Sequence, residues 1–231
     1  MEIFIKFNIL FRIIKSKNTV SVDDQKMTMI CSSSILAHLV KLFVTFCCMR
    51  ILNNTYDKTS IWSFRAFQIL LSHAIVGAFR FGAPLFISAT NIIKYLRIFY
   101  DWYSKIVDVI LLALFTGSIL QGYGISEKIR LIILSLGILP VLFHLQPKRK
   151  ENQIRRHQLL INITTTLQLL MIMLIGLRNN NYNVISLVMS YIFERFFIDE
   201  FCYYYDIPST DLTQYSLCFV EIFMVLTLNE M

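Results

Sequence analysis

The chain has 231 residues, 56% of them hydrophobic and 16% charged, with a mean hydropathy of +0.59 and a net charge of +7. Globular domains carry roughly 25% charged residues, so charge has been exchanged here for apolar surface; a disordered chain is excluded, as is a nucleic-acid-binding domain despite a pI near 9.2. Seven Gly and four Pro also exclude fibrous or linker-like material.

The start, Met1–Ile14, is apolar on nearly every face but interrupted by Lys6, Asn8 and Arg12. Glu2 and Lys6 break the order of a signal peptide and no small-residue cleavage site follows. It reads as an interfacial helix anchored by Phe4, Phe7 and Phe11. Residues 1–28 form an N-terminal interfacial or cytoplasmic segment, and residues 29–231 the helix bundle.

A bilayer core about 30 Å thick requires roughly 20 mostly apolar helical residues. Seven runs approach that length: Met29–Met49, Phe67–Ile93, Ile106–Gln121, Ile129–Leu145, Leu159–Leu177, Val184–Phe201 and Tyr215–Leu228. The runs are continuous, without the alternation of a lipid-facing strand, and unpaired backbone is prohibitive in lipid. The fold class is therefore all-α, a polytopic membrane helix bundle of six or seven spans. The third and fourth runs are short and predict a hairpin around Gly122–Tyr123–Gly124. The seventh is shorter still and contains Glu221, which leaves open a re-entrant or surface helix. Lys94–Lys105, with its five aromatic residues, reads as a helix lying at headgroup level between two spans.

Thirteen of the 22 Lys and Arg fall on one side of this arrangement and six on the other. Basic residues are retained in the cytoplasm, which predicts a cytoplasmic N-terminus. The densest cluster, Lys148, Arg149, Lys150, Arg155 and Arg156, sets topology and is placed to meet anionic headgroups. The Asn53–Asn54–Thr55 sequon falls on the opposite side, close to the membrane.

Ionisable residues inside spans are functional candidates by default. Arg80 lies at the centre of its span, with His73 seven residues earlier on nearly the same face. Glu194 and Glu221 are the expected partners of Arg80, and the four together form the candidate polar path. Arg195 and Asp199 stand at i,i+4 along one helix. In the first span His38, Lys41 and Thr45 form an i, i+3, i+7 polar stripe that must face protein or water, although Lys41, like Asp108, is long enough or near enough to a span end to snorkel. Ala74, Ala78 and Gly82 recur every fourth residue as a small face for close helix approach. Asn162, Thr164, Thr165, Thr166 and Gln168 place hydrogen-bonding groups on the fifth span, for helix contacts or a polar cavity.

Five cysteines show neither C-x-x-C spacing nor a disulfide framework. No H-E-x-x-H, G-x-S-x-G or phosphate-loop motif occurs. These readings predict no enzymatic activity, no metal and no cofactor. Ser118–Leu142 (SILQGYGISEKIRLIILSLGILPVL), the His73–Lys94 stretch with Arg80 in an apolar span, and Ser209–Thr210 before the last span carry a resemblance to the transmembrane protein 82 family. It covers about two-thirds of the chain in order and spacing and implies a multi-pass membrane protein, with no catalytic residue to carry over. The expectation is a non-enzymatic structural or accessory membrane component, or alternatively a small channel or transporter around Arg80. Its partners would be the lipid bilayer and a membrane protein or second copy, with no nucleic acid.

Overall fold

A computed structural model describes the backbone at residues 22–55, 61–86, 90–144 and 151–231, and side chains at 32–54, 61–86, 91–141 and 157–231. All regular structure among the described residues is helical: α1 (Val22–Thr55), α2 (Ile61–Phe86), α3 (Thr90–Gly122), α4 (Glu127–His144), α5 (Glu151–Arg178), α6 (Asn183–Ile192), α7 (Ile198–Tyr205) and α8 (Ser209–Asn229). A π-helical turn, Phe193–Phe197, joins α6 to α7 without a break. The N-terminal interfacial helix lies outside the described residues, and α1 runs on through the boundary expected at residue 28.

Turn chemistry sets the helix ends. Gly124, at φ +69°, follows α3, and Ile125 N–H returns to the Leu120 carbonyl at 3.0 Å. Glycine reaches that left-handed conformation without a Cβ penalty, so the hairpin expected around Gly122–Gly124 forms. After α5, Asn180 takes the same role at φ 59°, and Asn181 N–H bonds the Gly176 carbonyl at 3.0 Å.

On α1 the amphipathic order of a soluble helix is inverted. Ser34, His38, Lys41 and Thr45 are buried, whereas Leu36, Leu39, Phe43 and Phe46 face outward. On α5 the exposed row is Leu159, Ile163, Leu167, Leu170 and Leu174. Such apolar outer faces require a non-aqueous surrounding. Five helical stretches are long and apolar enough to cross a membrane: Ser32–Asn54, Ile61–Phe86, Asn91–Gly122, His157–Arg178 and Ser209–Asn229.

Six or seven spans are thus not matched by length and apolarity alone. The fourth expected run coincides with α4, 18 residues long with Glu127, Lys128 and Arg130 in its first turn. The sixth falls on the continuous helix from α6 to α7, which carries Glu194, Arg195, Asp199 and Glu200. Each of the other five contains an apolar stretch of 18 residues with at most two charged residues, and neither of these does. The final run, in contrast, extends back to Ser209 and makes a full-length helix. Lys94–Lys105 is not a separate surface helix either: it is the first part of α3, 33 residues without interruption.

α3 lies at the centre, touching α2, α4, α5 and α8. Lys41 meets His73 while His38 meets Phe81, so α1 and α2 run antiparallel. Ser34 meets Asp211, Lys41 meets Gln214 and Thr45 meets Glu221; both numberings rise together, so α1 and α8 run parallel.

Candidate functional site

The interior of α1, α2, α3 and α8 is divided along the bundle. Toward one end the four helices contribute Ser34, His38, Lys41 and Thr45; His73; Tyr100 and Ser104; and Asp211, Gln214 and Glu221. Toward the other they contribute Cys48 and Leu52; Phe67 and Leu70; Leu111 and Phe115; and Met224 and Leu228, in one hydrophobic cluster. The polar end is where α1, α3 and α8 begin and α2 finishes.

Lys41 is the hub, fully buried at 0% exposure. Its Nζ lies 3.1 Å from His73 Nδ1 and 3.1 Å from Gln214 Oε1, joining α1 to α2 and α8. An ammonium has donors and no lone pair, so His73 Nδ1 accepts and its proton sits on Nε2. Nε2–H then donates to Ser104 Oγ at 2.8 Å, which brings in α3. The same tautomer removes His73 as a general base for Ser104, since the nitrogen facing the hydroxyl already carries its proton. No ion pair forms between Lys41 and Glu221 among the described residues. Glu221 is also 0% exposed; Thr45 Oγ donates to its Oε2 at 2.6 Å, and its Oε1 has no hydrogen-bond partner.

An aromatic shelf separates this hub from the bundle end. Tyr100 stacks on His73 with ring centroids 5.2 Å apart, and its hydroxyl lies 3.1 Å from His38 Nε2. The opposite nitrogen, His38 Nδ1, is buried without a partner. His38 also stacks on Phe81, and it can do so because α2 presents Gly77 there: a Cβ at that position would collide with the imidazole. Outside the shelf, Arg80 stacks its guanidinium over the Phe81 and Tyr100 rings at 4.5 and 4.6 Å and pairs with Asp101 at 3.3 Å. At the same end Ser33 and Ser34 each donate to the Asp211 carboxylate at 2.5 Å.

Several sequence expectations are corrected. Arg80 pairs with Asp101, not with Glu221 or Glu194, because it lies about two turns outward from His73, where Lys41 meets α2. The four candidates do not form one path: His73 bonds Lys41 and Ser104, Glu221 bonds Thr45, and Glu194 sits half-buried on the π-turn. Lys41 does not snorkel; it is held inside by acceptors on two neighbouring helices. No Arg195–Asp199 ion pair forms among the described residues, and the π-turn widens the helix between them.

The small face of α2 is also shifted. Ala74 is buried, but Ala78 is half-buried and Gly82 has open space around it; Ala66, Ala74 and Gly77 mark the close contact. A row of every fourth residue rotates about 40° per step around a helix of 3.6 residues per turn, so by Gly82 it has left the interface. On α5, Gln168 is the member of the polar set that reaches another helix, accepting from Thr116 of α3 at 3.3 Å, with Gly137 of α4 leaving room for it. Thr164 and Thr166 bond carbonyls of their own helix. Lys148, Arg149 and Lys150, and the side chains of Arg155 and Arg156, lie outside the described residues.

Sequence reasoning missed Ser104, Gln214, Asp101 and Gly77, which are unremarkable polar or small residues until the helices are assembled. A signal for Gln214 was present: Asp211, Gln214, Cys218 and Glu221 repeat the 3-4-3 spacing of one buried helix face. Among the described residues no group of three or more His, Cys, Asp or Glu is placed to hold a metal ion. Compared with known proteins, the chain matches no family model, no curated protein and no solved structure.

Proposed function

We propose that the chain is a multi-pass integral membrane protein of structural or accessory kind, without catalytic activity, whose interior polar groups fasten its helices together. The observation that carries this reading is Lys41, fully buried yet bonded at once to His73 on α2 and Gln214 on α8. In an apolar surrounding such bonds substitute for the hydrophobic driving force that helices in lipid lack. The outer apolar faces are then available to lipid and to a membrane-protein partner or a second copy. The likeness to the transmembrane protein 82 family is part of this proposal and adds no activity to it.

The parallel packing of α1 and α8 favours an odd number of crossings, and counting α4 and the α6–α7 helix as spans makes seven. The excess of basic residues on the N-terminal side favours a cytoplasmic N-terminus. A channel or transporter around Arg80 has less support, since Phe67, Leu70, Phe115 and Met224 fill the interior beyond Glu221.

The test is reconstitution of the full chain into liposomes with ion-flux and unfolding measurements on the same preparations. Flux no greater than in empty vesicles, together with a lowered unfolding midpoint for Lys41→Met, supports the reading. Flux that Arg80→Leu or Lys41→Met abolishes without loss of folded protein overturns it.

A further inference from the structure

We propose that the groove along the π-turn and α7 seats the headgroup of a phosphatidylcholine molecule, its trimethylammonium held between aromatic rings and the Glu200 carboxylate. This goes beyond helix fastening and rests only on residence in a membrane.

Phe193, Phe197, Glu200, Phe201, Tyr204 and Tyr205 line an open groove of about 300 Å³, at the low end for small-ligand sites. They stand at i, i+4, i+7, i+8, i+11 and i+12, on one face of the continuous helix. The rings touch in sequence: Phe193 meets Phe201 at 5.8 Å, Phe201 meets Tyr205 at 4.5 Å and Tyr205 meets Tyr204 at 5.0 Å between centroids. Glu200 is the one charged group in the lining, and among the described residues it makes no ion pair. The chain from residue 196 to 231 also carries Asp199, Asp206 and Asp211 and has no Lys or Arg; Arg195, the nearest base in sequence, does not line the groove.

The complement of such a wall is a cation. A Lys ammonium brings three N–H donors and an Arg guanidinium five, and each is costly to strand against ring carbon. A trimethylammonium has no N–H to satisfy, and aromatic faces are the surroundings that recognise it. An anionic headgroup would meet the carboxylate and find no base.

The position of the groove points to a lipid rather than to free choline. α7 ends four residues before Ser209, where the membrane-crossing α8 begins, which sets Tyr204 and Tyr205 at headgroup level. At the far end of the same helix Asn181 bonds the Thr227 carbonyl, near the end of α8, so the helix follows α8 for its whole length. Phe193 thus lies about 18 Å inward of Tyr205. The groove starts among headgroups and continues beside the acyl chains.

The experiment is magnetic-resonance saturation transfer on the full chain in phosphatidylglycerol nanodiscs, titrated with phosphatidylcholine isotope-labelled in its N-methyl groups. Saturating the protein's aromatic protons should lower the labelled methyl signal. Tyr204→Leu and Tyr205→Leu keep apolar bulk but remove a ring, and each should weaken the apparent affinity about two- to fivefold. Glu200→Gln should weaken it as well, whereas Phe219→Leu, an exposed aromatic on α8, should leave it unchanged. No transfer in the wild type, whether the groove is empty or closed by a second copy, overturns the proposal. So do affinities unmoved by Glu200→Gln and both tyrosine variants, equal affinity for headgroup-labelled phosphatidylethanolamine, or equal transfer to labelled choline chloride in discs without phosphatidylcholine. The three substituted side chains are exposed, so the variants should keep the wild-type unfolding midpoint. Lys41→Met is measured without phosphatidylcholine, so failure of either proposal leaves the other standing.

Discussion

Lys41 Nζ on α1 stands 3.1 Å from His73 Nδ1 on α2, an ammonium and an imidazole facing one another with both side chains buried. The contact is favourable only because the imidazole is neutral and presents a lone pair, a state held by Ser104 at its other nitrogen. Removing the ammonium leaves Nδ1 and Gln214 Oε1 without a donor and Glu221 without its counter-charge. Lys41→Met is expected to lower unfolding free energy in detergent by about 1–3 kcal/mol for each of the two acceptors it strands, His73 Nδ1 and Gln214 Oε1. Lys41→Arg should recover little of it, since a planar fork cannot replace a point charge placed between two acceptors.

Gly77 and Gly82, five residues apart on α2, should respond in opposite ways. Gly77→Ala drives a methyl into the His38 ring and is expected to cost about 1–3 kcal/mol, as overpacking does. Gly82→Ala meets nothing within 4 Å and should be neutral or stabilise slightly through helix propensity. Thermal unfolding of the two variants side by side checks this.

The Arg80–Asp101 pair is half open, with side chains 16% and 48% exposed. Asp101→Asn is expected to cost less than about 1 kcal/mol, as partly solvated pairs do. Arg80→Leu should cost more, because the guanidinium also covers Phe81 and Tyr100. Combining Arg80→Leu with Asp101→Asn should restore part of the loss, whereas combining it with Glu221→Gln should restore none. Folded yield across these four variants separates the two partners.

Asp211 ties the start of α8 to Ser33 and Ser34 of α1. Asp211→Ala removes the carboxylate that accepts from Ser33, Ser34 and Thr210, and is expected to cost about 1–3 kcal/mol. Either serine replaced alone by alanine should cost less, since the carboxylate keeps the other serine and Thr210 as donors. Chemical unfolding with a probe on α1 measures both.

The α1 stripe was legible because His38, Lys41 and Thr45 sit at helical spacing among apolar residues, and a polar row in a span has to face protein or water. The apolar runs located α2, α5 and most of α1 for the same reason. What faced the stripe was not legible. Gln214 and Ser104 are ordinary polar residues whose importance depends on which helices become neighbours, and the parallel approach of α8 to α1 joins positions 173 to 178 residues apart. Arg80 shows the limit most plainly. Its charge marked it as in need of a partner, but the choice among Asp101, Glu194 and Glu221 depended on its depth in the bundle. The π-turn at Phe193–Phe197 likewise leaves no periodic trace in a 3.6-residue pattern.

The most direct test of interior fastening is a double-mutant cycle between Lys41→Met and Glu221→Leu, with unfolding free energies measured on the full chain in detergent or lipid. Each single variant leaves one interior charge without its opposite, whereas the double variant removes both charges and keeps only the cost of the two acceptors that Lys41 served. The account predicts that the double variant is more stable than either single one, with a coupling of about 2 kcal/mol or more, within the range for residues sharing one network. Additive losses, or singles as stable as the wild type, would contradict it.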